Sequence, residues 1–124
     1  MQSVLNDFYC VENLSSDDSG NYTAQITLNA AHDIFKGHFP GNPVTPGVCM
    51  MQIVKDLAEK CIETKLFLKS ASNVKFMSII NPEENSELTI QLNIKTEENL
   101  LKVKSTTSFG ETIALKMSAQ YQKI

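Results

Sequence analysis

The residues best placed to do chemistry lie in one run, GHFPGNPVTPGV, residues 37–48. Three prolines and three glycines within twelve residues fix the backbone more tightly than a simple connection needs. Inside it stands His38, whose imidazole at its ordinary pKa of about 6.5 can take a proton at neutral pH. The run ends where a helix should begin, with Pro46 suited to its first turn. A helix start offers unpaired N–H groups and the positive end of the dipole, so negative charge is favoured there. A histidine thus sits in a stiffened loop that leads to a ready-made anion site. On residue chemistry alone, His38 as a loop histidine bonded to backbone is the competing reading.

Four further positions on that helix need a reading. Gln52 and Asp56 lie one turn apart on a polar stripe with Glu59 and Glu63, and Asp56 is expected to be solvated. Cys49 and Cys61 read as small core residues, and no base stands beside Cys49 to activate it. With Cys10 they make three cysteines at no metal-ligand spacing, so neither a disulfide framework nor a metal site is expected. His32 lies outside the run and reads as a turn residue.

The elements that must position these groups are legible from periodicity. One long helix is expected over residues 47–65, with Met51, Val54, Ala58, Cys61 and Ile62 on its apolar face. Ahead of it, alternation at Tyr22, Ala24, Ile26 and Leu28 predicts a strand, and residues 4–14 a less regular one, joined through the turn formers of residues 15–20. Behind it, a strand over residues 74–80 ends at Asn81-Pro82, and three alternating segments follow from Leu88, Leu101 and Ile113. Turns at residues 97–99 and 109–111 make these a meander. One helix against one face of an antiparallel sheet is an α+β design in a single domain spanning residues 1–124.

Composition bounds the function. The 124 residues carry a formal charge of −3, and all 11 cations are lysines, so nucleic acid, which favours arginine forks, is excluded as a partner. No apolar run reaches the roughly 18 residues that cross a bilayer, and no secretory signal opens the chain, so no membrane insertion and a cytoplasmic location are expected.

The run GHFPGNPVTPGV closely resembles the signature of the single-domain 3-hydroxyacyl-(acyl-carrier-protein) dehydratases of the hot-dog fold, GHFPxxPxxPGV with a catalytic acid four residues beyond the final valine. Strand order and length agree over nearly the whole chain. The resemblance implies a long central helix wrapped by a curved antiparallel sheet of five or six strands. It implies His38 as the base, Phe39 in the acyl site, and the N–H of Gly47 or Val48 as donor to the thioester carbonyl. It also implies acyl carrier protein as partner, a homodimer or higher homo-oligomer with sites between subunits, and no cofactor or metal. Lys69 and Lys75 read either as attracting the acidic carrier or as a solvated face.

The chain departs from the signature at the acid, which is Gln52. A glutamine can hold a hydroxyl or a water but has no ionisable proton to give. The leading expectation is dehydration of a (3R)-3-hydroxyacyl thioester to the trans-2-enoyl form, with His38 returning the proton and Gln52 orienting the hydroxyl. An acyl-carrier-binding pseudoenzyme, a subunit of a heteromeric dehydratase and a thioesterase using Gln52 with Asp56 are the alternatives.

Overall fold

The computed structural model describes residues 7–37 and 43–124 of the chain. His38 and Phe39, expected in the site, lie outside the described residues. Eight elements follow in order: β1 (Tyr9–Ser16), β2 (Asn21–Leu28), α1 (Asp33–Gly37), α2 (Gly47–Ile62), β3 (Leu66–Phe76), β4 (Glu87–Glu97), β5 (Leu100–Phe109) and β6 (Thr112–Lys123). All six strands form one antiparallel sheet in the order β1-β2-β4-β5-β6-β3. Among the described residues no helix is long and apolar enough to cross a membrane.

The sheet has one apolar face because the strands alternate. In β4, Leu88, Ile90, Leu92 and Ile94 are buried between more exposed neighbours, as a pleat with side chains on opposite faces requires. Leu115, Met117, Ala119 and Tyr121 do the same in β6. Against this face α2 sets Met50, Ile53, Val54, Leu57 and Ala58. Full burial of such an aliphatic side chain contributes about 1.5–3 kcal/mol over leaving it exposed. Leu57, with no exposed surface, is the residue of α2 whose truncation to alanine should cost most, about 2–5 kcal/mol.

Sequence and structure differ in three elements. The helix stops at Ile62 rather than residue 65, because Glu63 turns left-handed at φ 54° and ends the hydrogen-bond ladder as a C-terminal cap. The strand expected over residues 74–80 is instead β3, Leu66–Phe76. It forms the sheet edge and is exposed on both faces over most of its length, so it lacks the alternation that would have marked it. The first strand is Tyr9–Ser16, with a bulge between Val11 and Asn13 that explains its irregular pattern.

Candidate active site

The start of α2 is held by two contacts. Thr45, which is buried, donates both its backbone N–H and its hydroxyl to the carbonyl of Ile80, at 2.9 and 3.0 Å. Pro46 caps the helix with an extended backbone and no side-chain hydrogen bond, and the first turn carries no acidic residue. Cys49 and Met50 N–H both donate to the Pro46 carbonyl. The N–H groups of Gly47 and Val48 precede them and have no acceptor within the helix. Val48, 77% exposed, places this pair at the surface.

Four residues down the helix, Gln52 is half-buried. It shares the wall of an apolar cavity of about 400 Å³ with Val48, Met51 and Lys55 of α2, Phe67 and Leu68 of β3, and Tyr121 of β6. Two residues expected in the site, Val48 and Gln52, are thereby brought together, and Gly47 adjoins them. Burial, with a lesser push from the charge of Glu59, raises the Tyr121 phenol to about 12, so it stays protonated at neutral pH.

Asp56 is not the solvated residue its stripe suggests. It is 7% exposed. Gln52 Nε2 donates to its Oδ1 at 2.9 Å, and the Tyr9 hydroxyl donates to its Oδ2 at 2.9 Å. Burial first, and the adjacent Asp56 charge second, push the Tyr9 phenol well above its ordinary range. Tyr9 escapes sequence reasoning because 47 residues separate it from Asp56; a phenol on the first strand is the cue it offers. A second cavity, of about 360 Å³, is lined by Tyr9, Asp56, Glu59, Lys60, Glu63, Thr64 and Lys65.

The other candidates fall away from the site. His32 Nδ1 accepts the N–H of Ile34, and its ring meets Phe8 edge-on, so it shapes the turn before α1. Burial raises the thiols of Cys49 and Cys61, the latter to about 11, which removes the thiolate a nucleophile needs. Lys69 is exposed on β3, and Lys75 lines a shallow depression with Lys104 and Lys116. Among the described residues no group of three His, Cys, Asp or Glu side chains could hold a metal ion.

A long helix packed on one six-stranded antiparallel sheet, with the helix start and an edge strand framing an apolar cavity, is a hot-dog domain. Solved structures bear out the fold. The dehydratase heterocomplex ApeI:P of Xenorhabdus doucetiae matches with a TM-score of 0.74 at 22% identity, covering 91% of this chain and 96% of that one. A hypothetical thioesterase with coenzyme A from Streptococcus pneumoniae matches at 0.69 and 10% identity, covering 98% and 91%. The chain belongs to the ApeI-like family, described as ApeI dehydratase, whose model matches residues 14–116. It is also 32% identical over 112 residues to the 3-hydroxyacyl-[acyl-carrier-protein] dehydratase FabZ of Levilactobacillus brevis, covering 84% of this chain and 73% of that protein. The FabZ of Lactiplantibacillus plantarum is 30% identical, covering 84% and 74%.

Proposed function

We propose that this chain dehydrates (3R)-3-hydroxyacyl thioesters, carried on acyl carrier protein, to trans-2-enoyl thioesters. The observation that carries the reading is the apolar cavity with Val48 and Gln52 in its wall, at the N-terminus of α2. An acyl chain can lie there with its thioester carbonyl toward the N–H groups of Gly47 and Val48. Removing the α proton builds negative charge on that carbonyl oxygen, and donors already aimed at it can supply several kcal/mol.

His38 takes the α proton and returns it to the β-hydroxyl, which leaves as water, so the proton balance closes without a second acid. Gln52 accepts the hydroxyl's hydrogen bond and holds it toward the histidine. Phe39 belongs to the acyl site beside them. The reaction as written uses no metal or organic cofactor, and a carrier-protein substrate supports a cytoplasmic location.

The working form is a homodimer. β3 is a sheet edge, and Phe67, Phe76, Met77 and Ile79 on and just beyond it are each more than half exposed in the single chain. An unpaired edge with large apolar side chains invites a second chain.

A second reading has a specific observation behind it. Gln52 stands where the family signature has its acid, so this chain could serve in a heteromer whose other subunit supplies the carboxyl. Incubating the purified protein with a 3-hydroxyacyl carrier protein and weighing the product separates the readings. Loss of one water supports dehydration, release of free hydroxy acid supports hydrolysis, and no change supports the heteromer.

A further inference from the structure

The contact between Gln52 and Asp56 determines which end of the amide faces the cavity. A carboxylate accepts hydrogen bonds and does not donate them. The end of Gln52 that meets Asp56 Oδ1 at 2.9 Å is therefore its Nε2. The second carboxylate oxygen is occupied by the Tyr9 hydroxyl, reaching from β1 at 2.9 Å. Asp56 itself is buried; Gln52 lines the apolar cavity, and Asp56 and Tyr9 line the second one. The three side chains form a chain of hydrogen bonds whose middle member, Asp56, is buried and whose Gln52 end stands at the cavity where the acyl group is placed.

We propose that Asp56, held by Tyr9, is a positioning residue that turns the Gln52 amide so that its carbonyl oxygen is the acceptor presented to the substrate. This rests on the reading above that Gln52 orients the departing hydroxyl. The direction of the amide matters for that task. A carbonyl oxygen engages the hydroxyl's own hydrogen and leaves its lone pairs open to the proton that His38 returns. An amide reversed end for end would present its NH2 group to those same lone pairs and compete with the proton. Fixing the amide in advance also removes the torsional freedom of a long side chain, and a misplacement of about 1 Å can cost about 100-fold in rate.

The test is a double-mutant cycle on the full-length protein, read as kcat and KM separately. Asp56→Leu, of similar size but with no acceptor, should lower kcat about 10- to 100-fold while leaving KM within a few-fold. Asp56→Asn keeps an acceptor oxygen and, with a neutral bond weaker than a charge-assisted one, should show a clearly smaller loss. In a Gln52→Ala background, Asp56→Leu should cost less than about twofold more, because its action runs through the missing amide. Equal losses in both backgrounds would mean that Asp56 acts on structure alone and would overturn the proposal. The Gln52 side-chain amide resonances supply a readout independent of turnover. One proton should be displaced by the Asp56 bond in the wild type and return to ordinary amide values in Asp56→Leu. If no substrate is dehydrated, the functional reading fails while these resonances still decide the locking, and identical signals in both proteins would overturn it.

Discussion

The ring of Phe76 rests on the backbone of Gly47 so closely that a Cβ at position 47 would stand 2.8 Å from its Cζ. The last residue of β3 is thus packed against the first residue of α2. Glycine at this point in the run admits the ring and keeps the edge strand, the helix start and the N–H pair in one unit. Gly47→Ala forces the ring aside. Because Phe76 is half exposed it has room to move, and alanine gains about 0.5–1 kcal/mol of helix preference, so the melting temperature should change by only a few degrees. Turnover should fall at least about tenfold, since reacting groups tolerate little displacement. A variant with unchanged turnover would show that this packing does not set the site.

Ser105 and Thr107 of β5 bury their hydroxyls with no hydrogen-bond partner among the described residues. A buried hydroxyl left unsatisfied costs about 1–3 kcal/mol. Thr107→Val keeps the shape and the β-branched preference of the strand while deleting the hydroxyl. We expect it to be stabilised by about 1 kcal/mol, seen as a higher urea midpoint with an unchanged slope. A lower midpoint would mean that the hydroxyl has a partner in solution.

These two sites mark what the sequence carried and what it did not. Alternation located β4, β5 and β6, and turn chemistry located their hairpins, because both are local properties of a half-buried sheet. Val48 and Gln52 came to notice differently, through the resemblance of residues 37–48 to the family signature. β3 escaped because an exposed edge imposes no pattern on its residues. Asp56 was misjudged because Tyr9 of β1 bonds to it where it is buried, and no helical period reports a partner 47 residues away.

Tyr9 and Tyr121 give the protein a defined weakness in alkali. Both phenols are held above the ordinary value of about 10, Tyr121 at about 12. A group whose folded pKa is raised contributes stability fully below its unfolded pKa and loses it as pH rises through the folded value. The phenols' share of stability should therefore be intact below about pH 10 and fall between about 10 and 12, with the Cys49 and Cys61 thiols beginning the decline near pH 9. Chemical denaturation across that range checks it, and Tyr121→Phe should flatten part of the decline. Stability that stays level to pH 12 would show the phenols to be ordinary.

Phe67 lies on β3, 59% exposed in the single chain and in the wall of the apolar cavity. If β3 pairs with a second copy, Phe67→Glu places a charge in that interface without disturbing the chain's own core. Size-exclusion chromatography with light scattering should show the wild type at twice the chain mass and the variant largely at the single mass, with a circular dichroism spectrum unchanged. A wild type already at the single mass would remove the dimer from the account.

The reading of the site turns on dehydration by a histidine while the acid position holds an amide. It is tested by mass spectrometry of a 3-hydroxyacyl carrier protein incubated with the wild type, His38→Ala and Gln52→Glu. Loss of one water is expected with the wild type and none with His38→Ala. An inactive wild type beside an active Gln52→Glu variant would contradict it, leaving a site complete except for an acid that another chain must bring.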